Sequence, residues 1–386
     1  MNSKIYYSNA GIHTYIMSLI NNPPKGYEFI INNNEKSKNI IKRLKASRIV
    51  NSIYQNIIKR FFNVFGLINN FYYKESPEGT NLILSTVSIV EEKKPWIMKI
   101  LDDPFCLGGN DYRIFMQNRK RIERALESPY CKRIIVNTEV AKRSIAYYFS
   151  NKVAKKVIRI DPAIHISKNL LTLKKKHKNV NFLFMGSINN PDEFYIKGGL
   201  EALETFSLLR KKYDNINMIM RCKLPEEIKN KYDFTNITLL ENQLSTEKIA
   251  KIYSDSDILI MPGYSYFIMA YLEAFSYGLP IIALDTFGVS EFIKNGKNGF
   301  YVKPSKDIPI NRPEYPSNMR SKYFIEKIKE HDPRVIKRLA DSASKIIENP
   351  ELLSRMSKQC FKLSRTTYSY NRNLKNLQKI FDEALK

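Results

Sequence analysis

The sequence predicts an α/β fold, and three observations predict it. Short apolar runs such as Ile258–Met261 and Pro280–Leu284 alternate with apolar-rich segments of helix length, the pattern of buried parallel strands joined by crossover helices. Turn residues punctuate the junctions, at Pro262-Gly263, Gly278 and Gly288. At 386 residues, 43% of them hydrophobic and 12% aromatic, the chain is comfortable for two domains with sizeable cores.

The N-terminal half opens with Lys4–Tyr7 as a strand, Ser8–Gly11 as a loop, and GIHTYIMSLI as an amphipathic helix. Strand, glycine loop and helix bring backbone close to an anion or a sugar, so Gly11 and His13 are candidates to face a ligand, although a surface histidine is the commoner case. Residues 39–66 set apolar positions at near-helical spacing with six basic residues between them. Such a helix lies on an anionic membrane surface or covers a sheet with a solvated back. Strands are predicted at Asn81–Val90 and Trp96–Leu101. The second ends in Asp102-Asp103-Pro104, which puts Asp102 at the end of a buried strand, where ligands lie in this architecture. The helix RIFMQNRKRIERALES and the strand RIIVNTEV follow, and the basic segment 166–178 is read as a linker.

The second half begins with the strand NVNFLFMG, ending at Gly186 and followed by Ser187 and an irregular stretch with Pro191. Lys197-Gly198-Gly199 then opens a helix, a sound place for a phosphate. Arg221 and Lys223 follow the strand Met218–Met220, as phosphate-facing or ordinary surface cations. Further strands are expected at Ile237–Leu240, Asp257–Met261, Ile281–Leu284 and Phe300–Val302, with Ser245 capping a helix. The loop 303–320 carries four prolines, and helices at 333–347, 350–365 and 370–385 finish the chain. Glu273 stands in the middle of an apolar helix, where burial costs free energy unless the carboxylate accepts hydrogen bonds. It suits a ribose diol; the alternative is a solvated residue on the outer face.

The run PGYSYFIMAYLEAFSYGLPIIALD, with GVSEFI and NGFYV after it, resembles the donor-binding segment of the family-4 retaining glycosyltransferases, also called glycosyl transferases group 1. The resemblance is good over about 180–300 and holds elsewhere by the order of elements. It implies the GT-B fold: two Rossmann-like domains with a cleft between them and a C-terminal helix crossing back to the N-terminal domain. Residues 1–165 would form the acceptor-side domain, 166–178 the linker, 179–368 the nucleotide-sugar domain and 369–386 the returning helix. It implies a hexosyltransferase-type enzyme that moves a sugar with retention from a nucleotide-diphosphate sugar to a glycan or lipid-linked acceptor. No divalent metal or other cofactor is expected.

In that family two glutamates eight residues apart serve the donor. Glu273 matches the ribose-binding one, and Ser265 stands where the other is expected. Lys197 matches the diphosphate lysine, Ser187 stands in place of an arginine, and Arg221 is a candidate to supply that charge. Gly186, Gly263, Tyr264, Tyr266, Phe267 and Glu291 complete the implied donor set. On the other side the family's His-Asp pair is matched by Leu101-Asp102, making Asp102 with Ser265 the catalytic candidates, and only Gly11 stands where two glycines are usual.

Composition narrows the classes. Four scattered cysteines form no C-x-x-C pair and the four histidines do not cluster, which fits a reducing cytoplasm and argues against a structural zinc. No apolar run reaches membrane-spanning length, so the expected place is the cytoplasm, with 39–66 the candidate for peripheral contact with a membrane's cytoplasmic face. The formal charge of +25 has 27 basic against 13 acidic residues in 1–165 and 36 against 25 in the rest, an attraction for phosphates of some kind. Two other functions stay open: a catalytically weakened homologue that binds a sugar nucleotide or assists a partner transferase, and a basic nucleic-acid-binding protein. The second lacks any recognisable nucleic-acid motif, and no nucleic-acid partner is expected.

Overall fold

The computed structural model describes residues 2–8, 14–31, 75–100, 103–109, 111–166, 170–171, 178–188, 190–265, 267–308 and 321–386. The predicted basic helix within 39–66, the greater part of the 166–178 linker and residues 309–320 lie outside them. The chain divides into two compact units, one of Met1–Ile160 with Leu374–Lys386, the other of Asp161–Asn373.

In the first unit the elements run β1 (Ser3–Ser8), α1 (Thr14–Asn21), β2 (Tyr27–Ile31), β3 (Leu82–Ser85), β4 (Trp96–Lys99), a 3-10 turn (Pro104–Gly108), α2 (Tyr112–Glu127), β5 (Cys131–Val136), α3 (Glu139–Tyr148), α4 (Asn151–Ala154) and β6 (Val157–Arg159). The strands form one parallel sheet in the order β2-β1-β3-β4-β5-β6. β3 and β4 are buried along their whole length, as central parallel strands with helices on both faces must be. The expected strand 81–90 stops at Ser85, because Ser85 Oγ turns back onto the Ser88 carbonyl and Thr86 meets the Tyr7 hydroxyl at 3.0 Å. β2 and β6 escaped the sequence reading because they are edge strands. Half-covered, they need no continuous apolar run.

The second unit runs β7 (Val180–Met185), α5 (Asp192–Ile196), α6 (Gly199–Arg210), β8 (Ile216–Arg221), α7 (Glu226–Lys231), β9 (Ile237–Leu240), α8 (Thr246–Ser254), β10 (Ile258–Ile260), α9 (Ile268–Ser276), β11 (Ile281–Leu284), α10 (Val289–Phe292), β12 (Gly299–Val302), α11 (Lys322–Lys329), α12 (Pro333–Ile347) and α13 (Pro350–Arg365); the last helix, α14 (Tyr370–Ala384), starts here and ends among the residues of the first unit. Its sheet is again parallel, in the order β12-β11-β10-β7-β8-β9. Phe182, Leu183, Phe184, Leu259, Ile281 and Ile282 are fully buried between the helical layers. The stretch after Ser187, read as irregular, contains the one-turn helix α5 behind Pro191.

Helix starts follow side-chain chemistry. Asp111, Thr138, Ser150, Ser245, Ser321, Asp332 and Asn349 each accept a backbone N–H at the head of their helix, and prolines stand in the first turns of α12 and α13. Thr138 is buried and its hydroxyl accepts from the Ala141 amide at 3.0 Å. Thr138→Ala is expected to cost about 1–2 kcal/mol, read as a lower denaturant midpoint at unchanged m-value. Asp255-Ser256-Asp257 is structural: Asp257 accepts from the Asn181 amide at 3.0 Å and Asp255 pairs with Lys251 at 2.5 Å.

Candidate functional site

The second sheet has the doubly wound order in which the strand order reverses between β7 and β10. Ligands of such sheets lie beyond the carboxyl ends of the strands at that reversal. Three segments meet there: Gly186-Ser187 after β7, Arg221 at the end of β8, and residues 261–265 with Phe267 after β10.

The first two are laced together. The Gly186 amide donates to the Arg221 carbonyl at 2.7 Å, Arg221 Nη1 donates back to the Gly186 carbonyl at 3.3 Å, and the Lys223 amide donates to the Ser187 carbonyl at 2.8 Å. A side chain at 186 would strike Cys222 and Phe184, so glycine lets these backbones approach. Arg221 Nε is buried without a hydrogen-bond partner among the described residues, an unusual state for a cation.

The segment before α6 is pressed against the loop after β10. The Tyr264 amide donates to the Ile196 carbonyl at 2.8 Å. Gly198 has φ +76°, and a Cβ on it would fall on the Pro262 carbonyl. Lys197, thus placed, holds its ammonium 5.2 Å from the centre of the Phe267 ring. Thr286 Oγ1 ties the loop from β11 by donating to the Gly263 carbonyl at 2.9 Å.

Glu273 completes the group from α9. It is half-buried, and the Tyr253 hydroxyl donates to its Oε2 at 2.6 Å. Burial raises the Glu273 carboxyl above its ordinary value, while the Tyr253 hydrogen bond and the charges of Lys197 and Arg221 pull it back. One carboxylate and two cations therefore converge at the strand reversal. α9 has no side-chain cap at Phe267, so its first amides also face that end.

Residues 179–310 match the family Glycosyl transferases group 1. The second unit carries a group 1 glycosyltransferase domain. No curated protein matches the chain in sequence. Among solved structures, a glycosyltransferase from Rickettsia africae aligns over 100% of this chain and 99% of its own at 13% identity and a TM-score of 0.61. HepE of Anabaena in complex with UDP-glucose aligns over 98% and 99% at 11% identity and 0.61. The pneumococcal O-GlcNAc transferase GtfA with UDP and GlcNAc aligns over 79% of this chain and 57% of its own at 15% identity and 0.55. The chain has the GT-B fold, as the sequence led one to expect.

In the group 1 domain, the structure thus brings Gly186, Ser187, Lys197, Arg221, Gly263, Phe267 and Glu273 to one end of the sheet, with Ser265 half-buried in the same loop. Tyr264 departs from its expected donor-binding place, because its side chain is buried in the core and its hydroxyl donates to Glu201. Glu291 lies half-buried in the first turn of α10, after Gly288 with φ +81°. Gly11, His13, Asp102 and Tyr266 lie outside the described residues.

Sequence reasoning missed Tyr253, Glu201 and Thr286, whose roles are contacts between segments far apart in the chain. It also missed Lys99 in the first unit, at the end of β4. Lys99 is fully buried and desolvation pushes its amine down to about 7; its one signal was a lysine inside the apolar run Trp96–Leu101. Among the described residues no group of three or more acidic, histidine or cysteine side chains could hold a metal ion, and no helix is long and apolar enough to cross a membrane.

Proposed function

We propose that this chain is a retaining hexosyltransferase that moves a sugar from a nucleotide-diphosphate sugar to a glycan or lipid-linked acceptor. The observation that carries the reading is the convergence of Glu273, Lys197 and Arg221 at the strand reversal of the matched domain. In this reading Glu273 accepts hydrogen bonds from the ribose hydroxyls. Lys197, Arg221 and the first amides of α9 meet the diphosphate, whose charge grows as the sugar leaves. Arg221 supplies the cation that Ser187 does not. Ser265 hydrogen-bonds the donor sugar but carries no charge to offset an oxocarbenium-like centre, so leaving-group stabilisation bears most of the catalytic burden. These two cations stand in for a divalent metal. Gly11, His13 and Asp102 serve the acceptor, and residues 39–66 rest on an anionic membrane at its cytoplasmic face.

Ser265 and Ser187 also favour a second reading, a weakened homologue that binds the donor and assists a partner transferase. UDP-sugars head the test panel because HepE and GtfA are seen with UDP-glucose or UDP and GlcNAc, followed by GDP- and ADP-sugars. Turnover is followed by NMR of the product anomer. A product that keeps the donor's anomeric configuration supports the proposal, and an inverted one rejects retention. Tight nucleotide binding with no turnover on any acceptor selects the second reading.

A further inference from the structure

We propose that Glu201, acting through Tyr264, is the positioning residue that holds loop 262–265 in its donor-binding form, and that this hold weakens when Glu201 ionises. The inference rests on the donor-site reading above and adds a residue that never touches the donor.

Tyr264 is fastened twice to the segment bearing Lys197. Its amide donates to the Ile196 carbonyl, one residue before Lys197, and its hydroxyl donates to Glu201 Oε1, one helical turn after it. The Phe324 ring sits edge-on to Tyr264 at 6.3 Å. Loop and helix start thus form one piece, and the placing of Lys197 depends on its shape.

The carboxyl is built to be neutral. Glu201 and Tyr264 are both buried; Glu201 Oε2 and, one turn along, Thr205 Oγ1 have no hydrogen-bond partner among the described residues. The neighbouring charged groups are unhelpful to a carboxylate. Glu204 lies on the same helix and adds like charge; it takes the Tyr232 hydroxyl and faces His331 Nε2 at 3.8 Å. Asp332 acts on Tyr264 in the same sense. Burial pushes Glu201 up to about 8 and raises Tyr264 well above its usual range, so at neutral pH an uncharged hydroxyl meets an uncharged acid. Once ionised, the carboxylate has the Tyr264 hydroxyl and its own backbone amide as donors, set against burial and a like-charged neighbour. Water relieves it, and water enters where Tyr264 leaves.

Amide hydrogen exchange of residues 262–268 and UDP titration calorimetry, on wild type and Glu201→Gln at pH 7 and 9.5, test this. The glutamine oxygen still accepts from Tyr264 and cannot ionise. In the wild type, loop protection should fall relative to the variant at pH 9.5, with UDP affinity down by at most about tenfold, because the carboxyl's hold on the closed form changes only up to about pH 8 and the step from pH 7 crosses about one pH unit of that range. Glu201→Gln should keep its pH 7 affinity at pH 9.5. A ligand-free melt supplies a second readout. The folded carboxyl titrates above its unfolded value of 4.5, so its stabilising contribution is complete below about 4.5 and is lost as pH rises through about 8; the variant should lack that slope. Parallel behaviour of the two proteins in exchange and affinity overturns the proposal, even if the melt slope differs. Loop protection that depends on Glu201 without UDP binding by either protein at either pH upholds the clamp and overturns the nucleotide reading.

Discussion

Replacing Glu273 with alanine or glutamine is expected to remove about half or more of the stabilisation that a bound nucleotide sugar confers. A ligand at about a hundred times its dissociation constant should raise stability by roughly 2.7 kcal/mol, readily seen as a shift in melting temperature. Without the carboxylate, two cations face the ligand but no acceptor meets the ribose. The loss of a charged hydrogen-bond partner costs about 1.5–3 kcal/mol, or roughly ten- to a hundredfold in affinity. Glutamine is the better probe, since it keeps an oxygen for the Tyr253 hydroxyl at the place of Glu273 Oε2, whereas alanine leaves that buried hydroxyl unsatisfied. An undiminished nucleotide shift in Glu273→Gln would remove Glu273 from the site.

The second large effect is structural. Gly198 has φ +76°, where an L side chain is strained, and its Cβ would fall on the Pro262 carbonyl, which is backbone and cannot rotate away. Gly198→Ala is expected to cost about 3 kcal/mol or more, combining left-handed strain with overpacking. Because the clash joins the start of α6 to the loop after β10, nucleotide affinity should fall together with stability. Gly296, with φ +76° and nothing within 4 Å of a Cβ, is the control: Gly296→Ala meets the strain without the clash. Equal losses at the two glycines, by chemical denaturation, would show that the close approach is unimportant.

The buried strands of the second unit were legible because β7, β10 and β11 are apolar runs, and a strand covered on both faces has no other way to read. One helix start was legible from its cap, at Ser245, whereas the Thr138 and Asn349 caps emerged only with the structure. β2 and β6 were not, since an edge strand with one face to water carries Glu28 or Arg159 without penalty. In the site, Lys197 and Glu273 stand out by being charged within apolar or glycine-rich surroundings. Arg221 reads as one of many basic residues until pairing of β7 with β8 brings it beside Gly186. Tyr264 shows the limit most clearly. Its loop lies at the site, yet its own side chain turns to a glutamate 63 positions away, and no local pattern encodes which way a loop tyrosine points.

The last helix has a consequence for how the molecule is assembled on the ribosome. Residues 374–386 belong with the first unit, where Phe381 packs edge-on against Tyr27, Asp382 accepts the Tyr27 hydroxyl at 2.5 Å and Glu383 pairs with Arg133 at 3.4 Å. The second unit is one continuous stretch and can close as soon as it has emerged. The first, although synthesised earlier, stays without its final packing partner until the whole second unit has been translated, so Tyr27 and its surroundings face the chaperones in the meantime. A truncation or fusion within 374–386 would therefore injure the part of the protein made first, far from the cut in sequence.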